Sequence, residues 1–164
     1  MMSVWGNPVW LYGGGEEPRL YIVKDGVLQS GWTTGTSNIN YFEQASGYWW
    51  LRGGANTAGY GYFEPTEAIG QFDYLVLKVS NELTNSSSRI VASKQRSSYA
   101  GSSNRTGLTT LGTYSNAGPM TWSVTLNVNG GSTATQVIVL NVSGSSANTY
   151  LYITDLYFTD TLPT

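Results

Sequence analysis

Between residues 19 and 160, apolar and polar side chains alternate in short runs separated by turn-forming residues. This period of two predicts strands. The first run is LYIVKDGVLQSGW, from Leu20 to Trp32, where Asp25-Gly26 sits between apolar pairs. That dipeptide predicts a hairpin, because a type I′ turn needs positive φ at both central residues. INYFE (39–43) and YWWLR (48–52) predict two further strands, divided by a small-residue turn at Ala45-Ser46-Gly47. GYGYF (59–63) alternates glycine with an aromatic ring. Phe72 to Ser80, FDYLVLKVS, predicts a strand with Leu75, Leu77 and Val79 on one face and Tyr74, Val76 and Lys78 on the other.

The region from Asn85 to Gly118 is turn-rich, with RIVASK (89–94) as a strand inside it. Trp122, Val124, Leu126 and Val128 alternate ahead of the Asn129-Gly130 turn, and the near-continuous apolar run Val137 to Val142 suits a central strand. In the closing run YLYITDLYF (150–158), Leu151 and Ile153 share a face, but the next large apolar positions are Leu156 and Phe158. The phase slips by one at Asp155, as a β-bulge produces. Helical spacing is confined to Glu64 to Ile69, enough for a single turn. The reading is one all-β domain over 19–164, preceded by an arm over 1–18 in which Trp5, Trp10 and Tyr12 lead into Gly13-Gly14-Gly15.

Composition narrows the chemistry. Charged residues are only 11% of the chain while 40% are hydrophobic, so polarity comes from Ser, Thr, Asn and Gly. There is no cysteine and no histidine. Disulfides, thiolate catalysis, the usual zinc sites and every Ser-His or Cys-His arrangement are therefore excluded. Net charge is −2 and no basic stripe exists, which argues against nucleic acid as a partner. No apolar run approaches the ~20 residues of a membrane helix, so membrane insertion is not expected. The first residues lack a basic stretch followed by an apolar one, so no secretory signal is expected. No cofactor is implied.

The unusual chemistry is aromatic. With Trp49 and Leu51 turned inward, Tyr48, Trp50 and Arg52 share the opposite face. Flat rings suit the C–H faces of sugars, and a neighbouring Arg donates to hydroxyls or acidic groups in a fixed fork. The competing reading is that a loop or the arm covers this face and makes Trp50 core. Tyr62 is one-sided by the same logic and either extends the platform or marks a close backbone approach opposite Gly61. Trp32 after Ser30-Gly31, and Tyr114 with Asn116 in a polar loop, are further ligand-binding candidates, although a plain solvated turn is the more ordinary reading of such a loop. Carboxylates offer little for catalysis: Glu43, Glu64 and Glu67 are the plausible members, and the three-residue spacing of Glu64 and Glu67 is ordinary surface decoration. Asp155 and Asp160 give a weak hint of structural calcium, without the Asp-rich loop such a site needs. Trp5, Trp10 and Tyr12 read as an attachment or oligomer contact, since exposed rings need a docking partner.

The strand order, with GYWWLRG, GYFEPTEAIGQFDYLVLKVS, TWSVTLNVNG and the closing TYLYITDLYFTD, resembles the galactose-binding-like jelly-roll β-sandwich of carbohydrate-binding modules. The opening GNPVWLYGGGEEPRLYIVKDGVLQSGW is similar to the start of small bacteriophage and prophage tail or fibre proteins. The resemblance implies a non-catalytic, virion-associated module that binds a bacterial cell-surface polysaccharide during host recognition. It would be assembled in the host cytoplasm with other virion proteins and displayed as a homo-oligomer. The alternative it leaves is a structural virion protein, such as a head-decoration or fibre protein, whose aromatic faces are subunit interfaces. No family sugar-site motif lines up with this chain, so the resemblance assigns no binding residue.

Overall fold

The computed structural model describes residues 18–37, 39–53, 59–67, 69, 72–80, 89–95, 109–115, 120–125, 137–143 and 149–162. They form twelve strands: β1 Arg19–Lys24, β2 Val27–Leu28, β3 Trp32–Ser37, β4 Ile39–Ala45, β5 Tyr48–Gly53, β6 Gly59–Pro65, β7 Tyr74–Val79, β8 Arg89–Gln95, β9 Thr109–Ser115, β10 Met120–Thr125, β11 Val137–Ser143 and β12 Thr149–Thr159. Every pairing between them is antiparallel. Among the described residues there is no helix, hence none long and apolar enough to cross a membrane.

The strands make two sheets packed face to face. The five-stranded sheet runs β3-β6-β11-β8-β9, with β11 central as its apolar run predicts. The seven-stranded sheet runs β10-β7-β12-β1-β2, with β5 also paired to β12 and β4 to β5. Inner faces interlock through rings: Phe63 of β6 meets Phe42 at 4.8 Å and Trp49 at 5.5 Å, and Trp32 of β3 stacks on Phe158 at 6.0 Å. Gly61 is required by this packing, since a Cβ there would overlap the Phe42 ring.

β12 organises the larger sheet. Its first half, 149–153, pairs with β5, and its second half, 156–159, pairs with β1 along the same edge. The expected phase slip is present: against β7 the register shifts between Ile153 and Asp155, so Leu151, Ile153, Leu156 and Phe158 all face inward and are buried. The Asp25-Gly26 turn fills the gap between β5 and β1. Both residues have positive φ, 51° and 77°, as a type I′ turn requires. Gly26 N donates to Thr154 O at 2.8 Å and Asp25 N to Asp155 Oδ1 at 3.1 Å. A Cβ at Gly26 would overlap the backbone of Tyr48, so glycine is needed there twice over.

Two expectations about elements need correction. Glu64 and Pro65 end β6 and residues 66–67 form a bend, so Glu64 to Ile69 is not a helical turn. Glu64 continues the strand alternation of β6 instead, and Glu67 lies on the bend. Residues 109–115, taken for part of a loop region, form β9 on the edge of β8. TTLGTYS lacks apolar alternation; its threonines favour strand and β8 offers the backbone partners.

Candidate functional site

Alternation along β5 divides its rings as the sequence predicts. Trp49 and Leu51 are core, 5% and 0% exposed, while Tyr48, Trp50 and Arg52 stand half-buried on the outer face. The register across β4, β5 and β12 then sets their neighbours. Tyr41, Arg52 and Tyr150 are in one row, and Glu43, Trp50 and Tyr152 in the next. Three adjacent strands thus present five rings and one guanidinium on a single outer patch.

The rings pack against one another. Tyr41 stacks on Trp50 with centroids 4.4 Å apart and planes 10° from parallel. Tyr48 stacks on Tyr152 at 4.5 Å and 28°. The Arg52 guanidinium carbon lies 5.4 Å from the Tyr41 centroid and 5.3 Å from that of Tyr150. Trp50, Tyr41, Arg52 and Tyr150 therefore interleave, each cation–π contact adding of order 0.5–1 kcal/mol at such exposure. The wall stays open to solvent, with Tyr41 38% exposed and Glu43 exposed beside it. Among the described residues, Trp50 Nε1 and Arg52 Nε have no hydrogen-bond acceptor. Sequence reasoning found β5's share of the wall and missed Tyr41, Tyr150 and Tyr152. Their outward parity was readable; the register that brings them beside β5 was not.

The other candidates fall elsewhere. Trp32 is buried, stacked on Phe158, and belongs to the core; the expectation of a ligand-facing ring fails because β3 alternation turns it inward. Tyr62 lies half-buried on the outer face of the five-stranded sheet, its hydroxyl over Gly35, so it cannot extend the β5 platform on the other sheet. Tyr114 sits in β9 opposite Ile90. Asn116, Trp5, Trp10 and Tyr12 lie outside the described residues.

The carboxylates do not converge. Glu43 is on the outer face of the seven-stranded sheet, Glu64 on β6 of the other sheet, and Glu67 exposed on the bend beyond it. Glycoside cleavage needs two carboxyl groups about 5–9.5 Å apart across one bond, and the sandwich separates Glu43 from Glu64. Asp155 accepts from Asp25 N, and Asp160 Oδ1 accepts from Asp73 N at 3.2 Å. Both pin turns, and among the described residues no three acidic side chains cluster as metal ligands.

No family model and no curated protein matches the chain. Solved structures do. A family 29 carbohydrate-binding module from Piromyces equi superposes with a TM-score of 0.65 at 12% identity, over 87% of this chain and 90% of that one. A family 29 variant complexed with mannohexaose gives 0.63 at 10% identity, over 87% and 91%. One complexed with cellulohexaose gives 0.63 at 9%, over 87% and 90%. The chain has the fold of these carbohydrate-binding modules, a jelly-roll β-sandwich.

Proposed function

We propose that this protein is a non-catalytic glycan-binding module whose ligand lies across the outer face of β4, β5 and β12. The observation that carries the reading is the solvent-facing wall of Tyr41, Tyr48, Trp50, Arg52, Tyr150 and Tyr152. Ring flanks supply apolar surface for sugar C–H groups, while phenolic hydroxyls and the guanidinium supply donors for sugar oxygens. The ligands named for the structural neighbours, mannohexaose and cellulohexaose, support a saccharide as the class of partner.

The finer reading places the module on a bacteriophage-type particle, where it binds a bacterial surface polysaccharide for host recognition. Its support is the likeness of the opening segment to tail and fibre proteins. Contacts to single sugars are weak, so display as a homo-oligomer beside other virion proteins would supply the avidity. A second reading, a structural virion protein with this wall as a subunit interface, draws on the mutual stacking of Trp50 and Tyr41, which covers one face of each ring. Retention on purified bacterial cell walls, wild type against Trp50→Ala, separates the two. Glycan binding predicts a loss of tenfold or more, on the order of the hot-spot effects of buried aromatics, at unchanged oligomeric mass. Equal retention with a reduced mass by light scattering favours the interface.

A further inference from the structure

The strands of the seven-stranded sheet carry Arg19, Lys24, Arg52 and Lys78 against Glu43 and Asp155, although the chain as a whole has a net charge of −2. Strand alternation puts these side chains on the outer face, because Ile22, Val23, Phe42, Leu51, Leu77, Leu156 and their like fill the inner one. The cations follow the line of β12. Its pairings set Arg52 beside Tyr150, Lys78 beside Asp155 and Arg19 beside Thr159. With ~3.3 Å per residue, that line is about 30 Å long.

Rings occupy the intervals. Lys24 Nζ lies 5.2 Å from the Tyr21 centroid, and Arg19 and Lys78 lie 5.1 Å and 5.9 Å from that of Tyr157. Lys78 is partly neutralised by Asp155, and Asp25 stands exposed beside Lys24. Asp155 is held by Asp25 N and by Lys78 at 3.8 Å. Arg52 makes no ion pair among the described residues, and its Nε has no acceptor although the side chain is half-buried. Charges taken partly out of water normally have a counter-ion or a hydrogen-bond acceptor. Two tyrosine faces replace only part of that, and the Nε donor is left without an acceptor.

We infer that the glycan taken by this face is anionic, a chain bearing sugar carboxylates or phosphodiesters. Arg52 grips one anionic group with its planar fork, and Lys24, Lys78 and Arg19 attract the rest of the chain along β12. This rests on the glycan-binding reading above and specifies its ligand class.

Calorimetric titration of the full chain with four probes tests it: oligogalacturonate, its methyl ester, poly(glycerol phosphate) and mannohexaose. The ester keeps the sugar rings and removes the charge. The expected result is that oligogalacturonate, poly(glycerol phosphate) or both bind at least about tenfold tighter than the ester and mannohexaose, an advantage that shrinks with added salt. Preference for the first or the second identifies carboxylate or phosphodiester as the source, and either supports the proposal. Arg52→Gln should bring the acid-to-ester ratio toward one; Lys78→Gln, on a different strand, should narrow it as well. Equal affinity for oligogalacturonate, its ester and mannohexaose, with poly(glycerol phosphate) no tighter, overturns the anionic proposal and leaves glycan binding standing. Binding of none of the four, with no retention on cell walls, overturns both.

Discussion

Trp49 and Trp50 are chain neighbours in opposite surroundings. Trp49 packs edge-on to Phe42 at 5.4 Å and to Phe63 at 5.5 Å, closing the space between the sheets. Trp50 lies parallel to Tyr41 at 4.4 Å on the outside, with solvent above the pair. Edge-to-face contact belongs to a crowd of rings from two sheets, parallel stacking to a single row of cross-strand neighbours. One ring is held from all sides by the fold. The other is held only by its own sheet, so its removal costs less stability.

The largest test of that contrast is Trp49→Ala, which should cost about 3–5 kcal/mol of unfolding free energy by denaturant titration. A loss no greater than that of Trp50→Ala would end the distinction. Gly61→Ala sharpens the inner side, since the added Cβ overlaps the Phe42 ring; about 1–3 kcal/mol of overpacking is expected in the same assay. Trp50→Ala should cost only about 1 kcal/mol, because the ring is half-buried and loses one stacking partner, and the melting transition should stay cooperative. The smallest effect is the coupling of Tyr41 to Trp50. A double-mutant cycle to alanine should give about 0.5–1.5 kcal/mol, and zero would mean that the stack is mere adjacency.

Alternation made the inner half of this contrast legible in the sequence. Leu75, Leu77, Leu151, Ile153 and Phe158 are buried where period-two reading puts them, and the slip before Leu156 appears as a bulge. Asp25-Gly26 announced its turn because few residues accept positive φ at both positions. The outer half was legible only strand by strand. YWWLR shows that Tyr48, Trp50 and Arg52 share a face, but Tyr152 reaches Trp50 through a register set by pairing partners distant in the chain. Trp32 misled because one aromatic after a Ser-Gly turn carries no parity of its own. Its side is set by packing against Phe158 of the other sheet, which the strand's own sequence does not show. Val76 faces outward as read, yet is fully buried, since its neighbour Tyr157 is closed over by Arg19, Tyr21 and Lys78.

The two-partner edge of β12 also has a consequence in time. β1, β5 and β7 meet only through this strand, so none of them can settle into the larger sheet before residues 149–159 have been synthesised. Trp50 therefore waits roughly 100 residues for Tyr152, a long loop closure of the kind that slows folding. Through that interval YWWLR has only its β4 hairpin partner, and its open edge depends on dilution or a chaperone to keep it from other chains. The wall is completed only when Tyr150 and Tyr152 arrive along its β12 side.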